Sequence, residues 1–293
     1  MEKMTKRIDW PMSFSGSILE SDLAEYEKAG IHYMEMCAPG TGAWKELDFI
    51  HRAHRYLARA SAYDVTIRSI HLPFYATEVR LDFDASSPDF RVRDWVCATQ
   101  SELIRAAGDA GIPIAVIHPS NGRLPLDTHP QKLRDVLDPL GKLALVAKEA
   151  GITLAVENMV RTGVTYVKEE MLHILNAIPD LRVCFDTNHS LVQPNPEYIR
   201  AVGERIVALH VSDYDLVNER HLPAGMGKNP WEEILTALEE AKYSGTFNYE
   251  VTRKHPLIGR EVSLEEICAT HRWLMGQGEW PESLPKTVEF PQE

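Results

Sequence analysis

The chain has 293 residues, of which 44% are hydrophobic and 25% are charged, as in an ordinary globular protein. Its formal net charge of −12 argues against general binding to nucleic acid, because clustered Lys and Arg side chains make the contacts to phosphates. No run of about 18 uncharged apolar residues is present, so we expect no membrane-spanning helix and no membrane partner. The first residues contain no apolar signal-peptide core, and we expect a cytoplasmic protein.

Eight short β-rich runs alternate with longer segments of helical periodicity along the whole chain. This alternation is typical of repeated βα units and predicts a single (β/α)8 TIM barrel over residues 1–276, followed by a C-terminal tail, residues 277–293. An open, doubly wound sheet is the alternative, but no G-x-G-x-x-G motif follows the first strand. The predicted strands are residues 8–14, 32–36, 66–72, 114–118, 153–158, 182–186, 205–212 and 246–251.

The longest predicted connections, residues 73–92, 119–131 and 213–229, follow the third, fourth and seventh strands. Loops after strands lie on the catalytic face of such a barrel, so these connections are expected to surround a site. The tail contains several prolines and cannot continue a helix. We expect it to wrap around the surface or to meet a partner subunit, and assembly into a homo-oligomer stays open.

The last four predicted strands each carry an ionisable residue near the carboxyl end. Because side chains two residues apart share a face of a strand, Glu157 shares its face with the small Ala155, while bulky apolar neighbours point the other way. Ionisable groups that converge inside a barrel must be paired or must bind a metal. A divalent ion, Mn, Zn, Mg or Co, fits these ligands. The four residues are Glu157, Asp186, His210 and Glu250.

Four histidines fall at similar places, namely His71, His118, His189 and His221. They would line the pocket as hydrogen-bond donors to a substrate or bind further metal ions. Glu35, in the second strand, either orients the pocket or pairs with a buried arginine. Three cations after the last two strands either hold a phosphate or are ordinary surface residues, and these are Lys228, Arg253 and Lys254.

The segments IHLPF, VIHPS, AVENM, CFDTNH, LHVSDYD, ERHLPAGMG and NYEV occur in this order along the chain. Together they resemble the xylose isomerase-like barrel superfamily, which contains sugar isomerases, ketose epimerases and apurinic endonucleases. The resemblance spans the third to the eighth strand. It matches Glu157, Asp186, His210 and Glu250 to the four metal ligands of ketose 3-epimerases, and His189 and Arg220 to their substrate-positioning pair.

The resemblance implies a divalent-metal-dependent isomerase or epimerase acting on a sugar, a sugar phosphate or an inositol ketone. Glu157 and Glu250 would be the catalytic residues, one taking a proton beside the carbonyl and the other returning it, through an enediolate that the metal stabilises as a Lewis acid. Dehydration of a keto-inositol would use the same enediolate. The expected substrate-binding residues are His71, His118, His189, Arg220 and His221.

An apurinic-site DNA repair nuclease, similar to endonuclease IV, is the alternative function. Eight residues match, by type and order, eight of the nine ligands of the trinuclear zinc site of that family, and Glu219 stands where the family has Asp. The DNA-contact loops of those nucleases are not evident in this sequence. A non-catalytic binding protein on the same barrel is a third possibility. The eight matching residues are His71, His118, Glu157, Asp186, His189, His210, His221 and Glu250.

Overall fold

Eight parallel strands form the wall of a barrel in the computed structural model. A short antiparallel pair of strands, Tyr75–Ala76 with Leu81–Asp82, interrupts the connection after the third strand. The described residues are 4–5, 7–37, 46–76, 81–120, 125–286 and 288–291. The strands are β1 (Met12–Gly16), β2 (Tyr33–Cys37), β3 (Thr66–His71), β4 (Tyr75–Ala76), β5 (Leu81–Asp82), β6 (Ile114–Ile117), β7 (Thr153–Glu157), β8 (Arg182–Asp186), β9 (Ile206–His210) and β10 (Phe247–Tyr249).

The barrel strands are hydrogen-bonded in the order β10-β1-β2-β3-β6-β7-β8-β9, and every pairing among them is parallel. The ring closes between β9 and β10 through Val211, which forms a parallel bridge with Tyr249. The backbone N–H of Val211 donates to the carbonyl of Asn248 (2.8 Å), and that of Glu250 donates to the carbonyl of Val211 (3.1 Å). The predicted (β/α)8 barrel is therefore confirmed.

Eight α-helices lie in the described parts of the chain. α1 ends where Gly30 takes a left-handed conformation (φ +73°) that favours glycine. No described helix has the length and apolar character needed to cross a membrane. The helices are α1 (Glu20–Ala29), α2 (Glu46–Ala62), α3 (Phe90–Asp109), α4 (His129–Glu149), α5 (Lys168–Ala177), α6 (Asn195–Val202), α7 (Trp231–Glu240) and α8 (Leu264–Leu274).

The two faces of the strands belong to two separate apolar layers. Outward-facing residues such as Val156 and Phe185 join the large core between strands and helices. A second, small cluster contains Ala155, Cys184 and Ala208, which lie two residues before the ionisable residues on the same inner face. The small side chains fill the barrel below the site, and the polar groups stand above them at the carboxyl ends.

The predicted boundaries differ most from the structure at the first strand, which begins at Met12 rather than at residue 8. Pro11 has no N–H to donate to a ladder, although its carbonyl accepts from Phe247 (2.8 Å) at the start of the pairing. In the tail, the Trp280 ring packs edge-on against Trp273, and Leu284 is buried. Parts of two predicted connections, residues 77–80 and 121–124, and tail residues 287, 292 and 293 lie outside the described residues.

Candidate metal centre and substrate pocket

The structure brings the four predicted metal ligands together at the carboxyl end of the barrel. One potential ligand atom from each of Glu157, Asp186, His210 and Glu250 lies within 4.8 Å of those of the others. The first three residues end β7, β8 and β9 and are fully buried, whereas Glu250 follows β10 and keeps 34% of its side chain exposed. The cluster is therefore buried on one side and open to solvent on the side of Glu250.

Glu157 is the centre of a ring of histidines. Its Oε2 lies 3.2 Å from His71 Nε2 and 3.1 Å from His118 Nε2. Its Oε1 lies 3.2 Å from His210 Nδ1 and 3.3 Å from His189 Nδ1. Burial by itself would raise the pKa of Glu157, but His210 and His118 outweigh burial and hold that pKa well below its ordinary value. Glu157 is thus a buried carboxylate kept in its charged form.

Asp186 is held by the backbone around it, yet one of its oxygens is left without a hydrogen bond. Asn158 clamps the residue by accepting from the Asp186 N–H (2.7 Å) and donating to the Asp186 carbonyl (3.0 Å). Oδ1 accepts from the Asn188 N–H at 2.6 Å. Oδ2 is buried and makes no hydrogen bond, although His189 Nε2 lies 3.3 Å away. Burial raises the pKa of Asp186 to about 6.

These observations fit a divalent metal ion. A buried oxygen without a hydrogen bond normally costs free energy, and three carboxylates in one place repel one another. A dication bound among Glu157, Asp186, His210 and Glu250 would satisfy the free oxygen and neutralise the acidic groups. The mixture of carboxylate oxygens with one imidazole suits Mn²⁺, Zn²⁺, Mg²⁺ or Co²⁺.

The four other predicted histidines border this cluster. His71 and His118 stand together on one side, with ring centroids 4.8 Å apart. His189 and His221 stand on another side, with centroids 6.4 Å apart. Burial by itself would lower the pKa of His189, but Asp186 and other carboxylates raise it to about 10. For His118 burial prevails, and the pKa lies below its ordinary value.

Arg220, the fifth predicted substrate-binding residue, is tied to its own loop. Its Nε donates to Asp215 Oδ2 (2.7 Å), and its backbone N–H donates to Asn188 Oδ1 (3.1 Å). Buried Asp213 fixes the same loop by accepting from the N–H groups of Gly225 (2.8 Å) and Asn229 (3.0 Å). These hydrogen bonds cross-link the loop after β9 beside the cluster.

Three residues at the site lie outside the set of site residues predicted from the sequence. Glu35 of β2 accepts a hydrogen bond from His210 Nε2 at 2.8 Å. The Phe74 ring stacks on the His118 ring, with centroids 4.7 Å apart, and is 45% exposed. Arg161 forms an ion pair with Glu219. A lone carboxylate among apolar residues in YMEMC was the only sequence signal for Glu35.

The three cations considered for a phosphate site have other contacts. Arg253 pairs with Glu25 (2.7 Å) and with Glu261 (3.1 Å), and Lys254 also pairs with Glu261 (3.2 Å). Lys228 lies over the Phe290 ring, 5.2 Å from its centroid. Their charges are therefore engaged locally.

A closed parallel barrel with acidic and histidine side chains gathered at the carboxyl ends of its strands defines a class of (β/α)8 proteins whose site is built from strand ends and the loops after them. Residues 23–274 match the family model described as the xylose isomerase-like TIM barrel. The chain belongs to this family.

Related proteins and structures were found at low identity. An uncharacterized protein of Methanocaldococcus jannaschii, MJ1311, is 27% identical over 200 residues, 64% of this chain, and the match spans 65% of that relative's length. A D-tagatose 3-epimerase-like protein superposes with a TM-score of 0.69 at 23% identity, covering 83% of this chain and 92% of that one. A D-psicose 3-epimerase, solved in the presence of D-fructose, gives a TM-score of 0.72 at 17% identity, covering 93% of this chain and 100% of that one. These likenesses show the fold.

Proposed function

We propose that this chain is a divalent-metal-dependent epimerase or isomerase of sugars or sugar-like ketones. The single observation that carries the proposal is the convergence of two glutamates on one acidic cluster at the barrel mouth. Glu157 and Glu250 come from strands that are three apart in the wall, so they approach the cluster from different directions. Two carboxylates so placed can exchange a proton with opposite sides of one carbon atom.

The reaction would depend on four residues that hold the metal, Glu157, Asp186, His210 and Glu250. When bound, a divalent ion supplies Lewis-acid polarisation of a substrate carbonyl. The chain itself supplies the bases. Glu157, which is charged and buried, or Glu250, which is open to solvent, takes the proton from the carbon beside the carbonyl. The other glutamate returns a proton, on the opposite face for epimerisation or on the neighbouring carbon for isomerisation.

The surrounding side chains would bind the hydroxyl groups of the substrate. His189 is held in its charged form by Asp186; its Nδ1–H donates to the Asn158 carbonyl at 2.8 Å, which leaves the Nε2–H for a substrate oxygen. His71 and His118 lie on the opposite side of Glu157 and supply further polar contacts. The exposed Phe74 ring beside His118 offers an apolar face for the C–H groups of a sugar ring. Such a pocket suits a polyhydroxylated ketone.

The comparisons add support of a different kind. Two structures of similar fold carry the names of a D-tagatose 3-epimerase-like protein and a D-psicose 3-epimerase. Their names favour epimerisation of a ketose for this chain over loss of water from a keto-inositol. The substrate we propose is accordingly a small ketose or a closely related sugar ketone.

Proton exchange with solvent tests this proposal directly. The metal-loaded protein is incubated in D2O with a panel of ketoses, keto-glycosides, inositol ketones and their phosphates. Deuterium is expected at a carbon beside the carbonyl.

Glu157→Gln and Glu250→Gln should each slow this exchange by about 10²- to 10⁴-fold, the usual contribution of a positioned acid or base. Glu170 is a buried glutamate paired with His129 outside the cluster, so the control variant Glu170→Gln should catalyse exchange at the wild-type rate. Absence of exchange with every compound would reject the proposal.

A metal-dependent apurinic nuclease is the second candidate, because the structure contains further groups of potential ligands. One consists of His71, Glu157 and His210, and another consists of His189, Glu219 and His221. The ion pair between Arg161 and Glu219 places a positive charge on the latter group, which opposes binding of a dication there. Elemental analysis separates the two functions. We expect one metal per chain, whereas three metals and incision of DNA at an abasic site would establish the nuclease.

A further inference from the structure

The two nitrogens of His210 face different surroundings. Nδ1 lies 3.2 Å from Glu157 Oε1 and 3.2 Å from Glu250 Oε2, so it points into the proposed metal centre. Nε2 points away from that centre and donates to Glu35 Oε1 at 2.8 Å. The His210 side chain is fully buried.

Glu35 is itself fixed on the inner face of the barrel. Its other oxygen, Oε2, accepts from the Ser69 hydroxyl at 2.7 Å, and Oε1 also accepts from the Ser15 hydroxyl at 3.2 Å. Ser15 in turn accepts from the Asn248 side-chain amide at 2.7 Å. These partners lie on β1, β3 and β10, so four strands hold one carboxylate that is 1% exposed.

A fixed carboxylate behind a histidine determines how that histidine can serve a metal. A neutral imidazole carries one proton, and the nitrogen without it is the one that binds a metal. An acceptor at Nε2 retains the proton there and leaves the lone pair of Nδ1 toward the acidic cluster. Carboxylates in this position also orient the ring and increase the basicity of the ligand.

We propose that Glu35 is a positioning residue that makes Nδ1 of His210 the metal-binding atom and tightens metal binding. This inference rests on the metal centre of the proposed function. Glu35 acts through its hydrogen bond to His210 Nε2 and is supported by Ser69.

Metal affinity is the first measurement. Zn²⁺ or Mn²⁺ is titrated calorimetrically into the metal-free wild-type protein and into Glu35→Gln and Glu35→Leu. We expect Glu35→Leu to weaken binding by about 10- to 100-fold, the usual effect of losing such a partner, and Glu35→Gln to weaken it less because its amide oxygen still accepts from Nε2. Ser69→Ala, which removes one support of Glu35, should weaken metal binding by roughly threefold to tenfold. This variant covers the case in which the Glu35 variants do not fold.

The protonated nitrogen of His210 is the second measurement. In the Zn²⁺-loaded wild-type protein, ¹⁵N correlation spectra of the imidazole are expected to show a proton on Nε2 and none on Nδ1. Glu170→Gln is the matched control, because Glu170 is a buried glutamate whose Oε1 lies 2.6 Å from a buried histidine, His129. It should keep metal affinity within about twofold of wild type even if it lowers stability.

The outcomes separate this inference from the proposed reaction. Wild-type metal affinity in Glu35→Gln, Glu35→Leu and Ser69→Ala, or a proton on His210 Nδ1 in the loaded protein, would overturn the role of Glu35 while leaving the sugar chemistry intact. Glu35-dependent metal binding without exchange on any sugar would reject the reaction and keep the inference. A wild-type protein that binds no divalent metal would overturn both.

Discussion

At the scale of single residues, His271 behaves differently from the histidines around Glu157. It lies in α8 and is 8% exposed, with its Nδ1 3.1 Å from the Tyr249 hydroxyl. Burial lowers the pKa of His271 to about 4, against the opposing effects of Asp9 and of a hydrogen bond with the Trp10 backbone, and Arg272 adds a smaller lowering. The folded protein therefore keeps this ring neutral at pH values where the unfolded chain already protonates it.

The stability of the protein should depend on pH through this residue. Its ordinary pKa is 6.5 and its folded pKa is about 4, so its stabilising contribution is complete above 6.5 and is lost as the pH falls toward 4. Between about pH 7.5 and about pH 5 the loss should be roughly 2 kcal/mol in the free energy of unfolding. Urea unfolding of metal-free wild type and His271→Gln measures it.

The comparison with His271→Gln controls for the titration of other groups, because glutamine does not ionise and can still accept a hydrogen bond from Tyr249. We expect the difference in stability between the two proteins to change by about 2 kcal/mol over that pH interval. A difference that stays constant with pH would show that His271 is not the titrating group.

At the scale of elements, α8 begins with a complete capping box. The Ser263 hydroxyl accepts from the Glu266 N–H at 3.2 Å, and the Glu266 carboxylate accepts from the Ser263 N–H at 2.9 Å. Two N–H groups that the helix cannot satisfy by itself are thus paired. The helix buries Ile267 and Trp273 against the barrel, so its stability contributes to that of the whole core.

Ser263→Ala should lower the free energy of unfolding by about 1 kcal/mol, because the Glu266 N–H loses its partner at the first turn. Chemical denaturation followed by circular dichroism measures the change. Ser61→Ala, an exposed position inside α2, is the control and should stay within about 0.5 kcal/mol of wild type. Equal stability of both variants and wild type would contradict a role for the cap.

At the scale of the whole molecule, the barrel concentrates ionisable groups where its own fold excludes water. Glu35, Glu157, Asp186 and His210 are all at most 1% exposed. Such groups cost free energy on folding unless each has a partner, and the acidic members repel one another. A dication would therefore couple the site to global stability, because it binds the folded chain and not the dispersed ligands.

Removal of metal should destabilise the protein measurably. At a free metal concentration about 100 times Kd, the loaded protein should gain about 2.7 kcal/mol over the chelated one. For a chain of this size that corresponds to a rise in Tm of roughly 5 °C. Calorimetric scans with added Mn²⁺ and with a chelator measure the difference. Asp186→Asn should lose most of the shift, and an unchanged Tm in the wild type would argue against a metal centre.

The sequence by itself determined the architecture and the centre of the candidate site. Alternating apolar and ionisable positions settle which face of a strand is inward, and parallel strands in a barrel bring their carboxyl ends together. Glu157, Asp186 and His210 could therefore be placed together without coordinates, and the cluster contains all of them together with Glu250. The weakest boundary was the first strand, where periodicity extends past the proline that limits the ladder.

Only the tertiary structure decided which side chains meet across the barrel. The partnership of Glu35 with His210 joins residues 175 positions apart, and the ion pair of Arg161 with Glu219 joins two loops. Contacts between strand ends depend on the register and closure of the ring, and contacts between loops depend on how each loop is held. Neither leaves a periodic signal in the chain, because periodicity reports the face of a residue and not its partner.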